Sequence, residues 1–215
     1  EWIRLHYAFP TGFPKDVLEV IREESKICNY LDIPLQHISD PILKSMRRGT
    51  TKKKTTSLIK KIRKNVPGII LRTTLIVGYP GETEEDFEET INLIKKIKFI
   101  NSYSFIFSPR PGTVASKLKL VDKDLSSKRL SLIQEELFKN QNNMNKSIEN
   151  KIIDVLVENQ TKDKLRLFGR SEHMTSVIFD GNKKNIGKTI KVKINKSNRN
   201  TLFGTAIENF GKKVA

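Results

Sequence analysis

The 215-residue chain carries 40 Lys and Arg against 24 Asp and Glu, a formal net charge of +16, with 37% hydrophobic residues and a single cysteine. No apolar run reaches the ~18 residues of a membrane span, and no basic stretch followed by an apolar segment opens the chain as a secretory signal does. One cysteine excludes an internal disulfide framework and, for this chain alone, a thiolate-held iron–sulfur cluster or a cysteine-rich zinc site.

The first residue is Glu1 rather than Met, which reads as a piece of a longer protein. Residues 2–7 read as a strand ending before Pro10, and Pro14 introduces a helix whose apolar face is Val17, Leu18, Val20 and Ile21. Residues 30–35 give a second strand. Asp40 is expected to cap a short helix reaching Met46, and a longer helix follows over 52–65 with Leu58, Ile59 and Ile62 inward, broken at Pro67-Gly68. Residues 69–77 form the clearest strand, a near-continuous β-branched and apolar run of the kind buried on both faces of a parallel sheet. Gly78 to Gly81 turns the chain, and Thr83 opens a helix with capping-box spacing to Asp86. Residues 102–107 are a fourth strand, followed by the loop 108–113.

Strand–helix alternation implies parallel βα units, which carry their chemistry at the C-terminal ends of the strands. The candidate positions are therefore Gln36, His37 and Ser39, then Gly78 to Glu82, then 108–113. A long amphipathic connecting helix follows over 125–147. Beyond 148 the pattern changes to period two, with strands expected at 152–157, 176–179, 189–194 and 201–206, antiparallel and of OB-like barrel size. Residues 1–150 hold 26 basic and 18 acidic side chains, and residues 151–215 hold 14 and 6. Each segment carries +8, so the charge is dilute in front and dense in the tail, where it favours a polyanion.

The stretch from Arg72 through Thr83 offers an apolar strand end as a floor for a flat ring, two glycines for close backbone approach and a helix N-terminus for polar ligand atoms. A tight turn whose glycines serve geometry alone fits the same spacing. This stretch resembles the fifth-strand motif of radical S-adenosylmethionine enzymes of the MiaB/RimO methylthiotransferase family. Tyr30 through Asp40 with Met46-Arg47-Arg48-Gly49 is similar to that family's fourth strand and next helix, and Ser102 through Thr113 to its sixth strand. Phe168-Gly169-Arg170-Ser171-Glu172, Ile186-Gly187-Lys188 and Asn200 through Gly204 resemble its RNA-binding TRAM domain. The front of the chain is more like the ribosomal-protein branch and the segment from about residue 100 more like the tRNA branch, with the junction near Gly81 to Glu89.

The resemblance implies an α/β fold: strands three to six of a six-strand TIM-like radical SAM barrel over 1–124, the connecting helix over 125–147, and a TRAM β-barrel over 148–215. It implies a cytoplasmic protein that uses S-adenosylmethionine through a partial site, and two 4Fe–4S clusters whose ligands are not in this chain. It assigns the cofactor to Gln36, Ser39, Arg72, Ile76, Val77 and Gly78, and RNA contacts to Arg166, Arg170, Lys191, Lys193, Arg199 and Phe203. No catalytic residue is singled out and no metal ligand is expected: Cys28 reads as a small buried filler, and His6, His37 and His173 are scattered. The substrate implied is a hypermodified adenosine of tRNA. A ribosomal-protein aspartate, or a non-catalytic RNA-binding remnant, are the alternatives, and the chain alone is expected to be inactive.

Overall fold

The computed structural model describes residues 2–14 and 16–207. The chain divides into two compact units between Asn140 and Gln141. The expected tail domain over 148–215 extends past the described residues.

In the first unit β1 (Ile3–Leu5), β2 (Ile27–Asp32) and β3 (Ile70–Arg72) pair in parallel, and β4 (Thr74–Val77) pairs in parallel with β5 (Tyr103–Ile106). Helices fill the connections, as parallel crossovers require: α1 (Val17–Glu23), α2 (Asp40–Ser45), α3 (Lys52–Asn65) and α4 (Glu84–Ile97), with α5 (Lys123–Ile148) following β5. Alternation along the strands separates two faces. Leu31, Ile33, Leu35, Leu71, Leu75 and Val77 enter one hydrophobic core with Leu18, Ile21, Ile59, Ile62, Phe87, Ile94 and Ile133 of the helices. Tyr30, Asp32, Arg72, Thr74, Ile76, Tyr103 and Phe105 alternate with them, and so share the opposite face.

The strand expected over 69–77 is two strands in two ladders, interrupted at the fully buried Thr73. Its partner, expected over 30–35, runs over Ile27–Asp32 because Pro34 has no N–H to give to the ladder. The Thr73 hydroxyl fills the gap: it donates to Ile33 O at 2.8 Å and accepts from Leu35 N–H at 3.2 Å. Pairing resumes where Gln36 N–H donates to Thr74 O and Ile76 N–H to Gln36 O, both at 2.8 Å. Asp40 is not the cap of α2. Ser39 holds that position, and the Asp40 carboxylate instead accepts the Lys52 N–H at 2.6 Å, tying the start of α2 to the start of α3. The Thr83–Asp86 capping box is present as expected.

The second unit is a closed barrel of five strands, β6 (Ile152–Gln160), β7 (Leu167–Ser171), β8 (Ser176–Asp180), β9 (Thr189–Ser197) and β10 (Thr201–Ala206), in the order β10-β8-β7-β6-β9. This corrects the expectation of four antiparallel strands twice. The strand β7 was hidden by its central glycine, a weak strand former, yet a Cβ at Gly169 would collide with the Leu156 carbonyl of the neighbouring strand. And β10 pairs in parallel with β8, closing the barrel. Val155, Val157, Leu167, Val177, Phe179, Val192, Ile194 and Leu202 fill its centre, joined by Ile148 from the end of α5.

Thr73→Val removes the hydroxyl while keeping the shape, orphaning a buried N–H and a buried carbonyl. It should lower the stability of the first unit by at least about 1–3 kcal/mol, read as a lower denaturant midpoint at unchanged slope.

Candidate functional site

The open face of the first sheet carries a polar layer. Arg72, 8% exposed, donates through Nη1 to the Tyr30 hydroxyl at 3.3 Å, lies 4.0 Å over the Tyr103 ring and approaches Asp32 at 3.9 Å. His6 Nδ1 reaches the same Asp32 oxygen at 3.7 Å. Burial pushes the Tyr30 phenol up, against the pull of the Arg72 charge. Asp32 Oδ1 and Arg72 Nε are buried with no hydrogen-bond partner among the described residues. One layer nearer the strand ends, Ile76 lies in register with Phe105, which is 52% exposed. Val77, by contrast, sits in the helix-side core, so of the two expected adenine-packing residues only Ile76 shares the open face. His6, Asp32, Tyr30, Tyr103 and Phe105 escaped the sequence reading. Register alone unites them, and no local motif marks it.

The strand ends are knitted together behind this face. Gln36, half-buried, holds a left-handed backbone (φ 71°) where it bridges to Leu75. Gly78 (φ +68°) leaves no room for a side chain, since a Cβ would collide with Ser126 of α5, and its N–H donates to the Glu82 carboxylate. That carboxylate is fully buried. It meets Arg129 Nη1 at 3.5 Å and His37 Nε2 at 3.5 Å, while Arg129 also donates to Glu82 O at 3.1 Å and Glu84 at 2.9 Å. Ser39 N–H donates to His37 Nδ1 at 3.0 Å, which places the neutral ring's proton on Nε2, facing Glu82 and Thr90. The Ser39 hydroxyl, fully buried, is held by Asp86 of the α4 capping box. Burial works to raise the Asp86 carboxyl, but the Ser39 hydroxyl and the Thr83 N–H and hydroxyl hold it below its ordinary 3.8. Six residues expected around a cofactor therefore divide. Gln36, Arg72 and Ile76 lie at or on the sheet edge of the open face, whereas Ser39, Val77 and Gly78 are packed or bonded within the protein.

On the barrel, register places Phe168 of β7 beside Ile178 of β8, and Ile178 beside Phe203 of β10, whose other neighbour is Lys196. All four alternate with interior residues and so line the outer surface, half-buried or exposed. Arg170 stands 5.5 Å from the Phe168 ring and 3.4 Å from Glu158. Arg166 and Arg199 lie in the loops leading into β7 and β10. Lys191 pairs with Asp154 at 3.0 Å, and with Lys193 it faces out of the β6–β9 pair, away from the aromatic row. The sequence reading found Phe203 and missed Phe168, Ile178 and Lys196.

The donors do not fit an iron–sulfur cluster. Cys28 is 1% exposed within β2, and no group of three His, Cys, Asp or Glu side chains among the described residues is arranged to hold a metal ion. No helix among them is long and apolar enough to cross a membrane. The half-exposed floor of Ile76 and Phe105, with the orphaned atoms of Asp32 and Arg72 below it, does fit a flat ring bearing polar groups.

Residues 1–94 match the Radical SAM superfamily model and residues 146–207 the TRAM domain model. The chain is 51% identical over 215 residues, all of its length, to tRNA-2-methylthio-N(6)-dimethylallyladenosine synthase of Pelagibacter ubique, of which it covers 48%. It is 43% identical over 212 residues, 95% of its length, to ribosomal protein uS12 methylthiotransferase RimO of Flavobacterium johnsoniae, covering 48% of that protein. With RimO of Flavobacterium psychrophilum identity reaches 64%, over 118 residues, 55% of this chain and 27% of that protein. The chain spans about half the length of the curated relatives that match it end to end. Among solved structures, the radical SAM enzyme coproporphyrinogen III oxidase (HemN) from Escherichia coli superposes with TM-score 0.52 at 15% identity, over 96% of this chain and 51% of that one, a likeness of fold.

Glu82→Ala leaves Arg129 buried without its carboxylate and should cost about 3–5 kcal/mol of stability. Replacing both Glu82 and Arg129 by Leu should recover some of that loss in a denaturant titration. Because Asp86 is depressed in the folded state, its contribution is present above about pH 4 and is lost as pH falls through the depressed value. Asp86→Asn should therefore flatten the acid limb of the stability–pH curve.

Proposed function

The chain belongs to the MiaB/RimO-type radical S-adenosylmethionine family, and from that premise we propose that it is the C-terminal part of a methylthiotransferase acting on a hypermodified adenosine of tRNA. The observation that carries this reading is the 51% identity, running through both units, to an enzyme named for that product. The strands β1 to β5 stand for strands three to six of a six-strand barrel. The two 4Fe–4S clusters of the family take ligands outside these 215 residues, so the chain alone is inactive in reductive cleavage.

S-adenosylmethionine, when bound, supplies the methyl group and the adenosyl group of the family's chemistry. On this reading Ile76 and Phe105 carry the adenine on their apolar surface and Gln36 presents its side chain at the ribose side. Arg72 acts at one remove. Tyr30, Asp32 and Tyr103 fix its guanidinium, leaving Nε for a polar ligand atom. Ser39 and Gly78 are positioning residues: through Asp86 and Glu82 they fix the strand-end turns. On the barrel, strand faces of OB-like folds bind single-stranded nucleic acid by stacking bases on aromatic rings. Phe168, Ile178 and Phe203 supply such a surface, with Arg166, Arg170, Lys196 and Arg199 around it for phosphates.

A second reading, action on ribosomal protein uS12, is favoured by the 64% identity over 118 residues to a RimO. The intact gene product, expressed in a host lacking both activities, separates the two. A methylthio group on tRNA adenosine by nucleoside mass spectrometry supports the first reading, and the group on uS12 alone sinks it. Phe168→Ala and Phe203→Ala should each weaken single-stranded RNA binding by about 1–3 kcal/mol, measured by fluorescence anisotropy at fixed salt.

A further inference from the structure

The positive charge of the first unit is not spread over it. Residues 41–65, which make up α2 after its first residue and all of α3, hold ten basic side chains and no acidic one. The remainder of the first 150 residues holds sixteen basic and eighteen acidic side chains. The excess that looked dilute along the sequence is therefore concentrated on one helix pair, and the rest of that segment is close to neutral.

The structure turns this composition into a surface. Thr55, Ile59 and Ile62 bury one side of α3. Lys53, Lys60 and Lys64 lie on the opposite side, flanked by Lys54 and Lys61, and all five are exposed. Lys44 and Arg47 of the α2 segment are exposed as well. Among the described residues these seven carry no ion pair; the acidic side chain that reaches α3 is Glu89, which meets Lys52 at 2.7 Å. The arrangement works against the helix. Three consecutive lysines occupy the first turn, where the helix dipole favours acids. Lys60 and Lys64 stand four apart as like charges. Local helix stability does not explain such a pattern, and departures of this kind mark functional surfaces.

We propose that the exposed face of α3, with Lys44 and Arg47, is a second RNA-binding surface that contacts the phosphate backbone without reading sequence. The proposal rests on the RNA-directed reading above and extends it from the barrel to the first unit. The chemistry selects this partner. The face presents lysines, Ser57 and Thr56 with no exposed aromatic or aliphatic anchor. A protein interface centres on such anchors and is poor in lysine, and a membrane-seeking helix needs an apolar side turned outward. Lysines as mobile point charges suit phosphates rather than base edges.

The test uses the intact chain with Lys53, Lys60, Lys61 and Lys64 changed to Gln, which preserves helix propensity and can be checked by circular dichroism and melting. A control variant changes Lys95, Lys96, Lys123 and Lys128 to Gln, the same loss of charge elsewhere on the first unit. A third variant is Phe168→Ala with Phe203→Ala. Binding to a tRNA and to an unrelated RNA is measured from low to high salt. The α3 variant should lower the slope of log affinity against log salt by about 2–3, at roughly 0.7–0.9 per phosphate lost, and weaken both RNAs equally. An unchanged slope, or an equal drop in the control, overturns the proposal. So does loss of binding to anionic phosphatidylserine vesicles with RNA binding intact. If the aromatic variant alone loses RNA, this inference falls and the barrel reading stands; if the α3 variant alone loses it, the reverse holds.

Discussion

The buried Glu82 carboxylate organises the strand ends of the first unit. It closes the turn after β4 by accepting the Gly78 N–H, meets His37 in the segment after β2, and anchors Arg129 from α5. A carboxylate with no exposed surface demands compensation, and here that compensation comes from three segments far apart in sequence. The same demand fixes the tautomer of His37 through Ser39 N–H, and Ser39 in turn binds the cap of α4. Residues that look like ligands for a cofactor are thereby spent on holding the floor on which a cofactor rests.

Thr73 has a related role deeper in the sheet. Pro34 removes a donor from the ladder, and the threonine hydroxyl bonds across the resulting gap to both flanking backbone groups. The sheet can therefore change direction without leaving buried polar groups unpaired. The break also sets which side chains look out: Arg72 before it and Thr74 and Ile76 after it share the open face, while Leu71, Leu75 and Val77 pack on the helices. In the second unit glycine has the corresponding role. Gly169 and Gly204 each lie where a Cβ would strike the backbone of the adjacent strand, so the barrel closes tightly around small positions.

Charge shows how far linear reading carries. Divided by halves, the positive excess appeared dilute in front and dense behind, and the dense tail alone suggested a polyanion. Counting by element moves the front excess onto α2 and α3, where the helix presents it on one side. The segregation was present in the sequence. What marked it as a surface was knowing that Thr55, Ile59 and Ile62 face inward.

The sequence by itself determined the parallel strand–helix units, the α4 capping box, the β-rich tail and the family, because period, turn chemistry and contiguous motifs are local properties. It misjudged what depends on partners distant along the chain. The interruption at Thr73 needs Ile33 and Leu35, the strand β7 needs Leu156 to explain its glycine, and the parallel β8–β10 pair needs barrel closure. It likewise could not separate Ile76 from Val77, or free Ser39 from Asp86. Facing and bonding are decided by register and by the pairing of buried polar groups, and both exist only once the chain has folded.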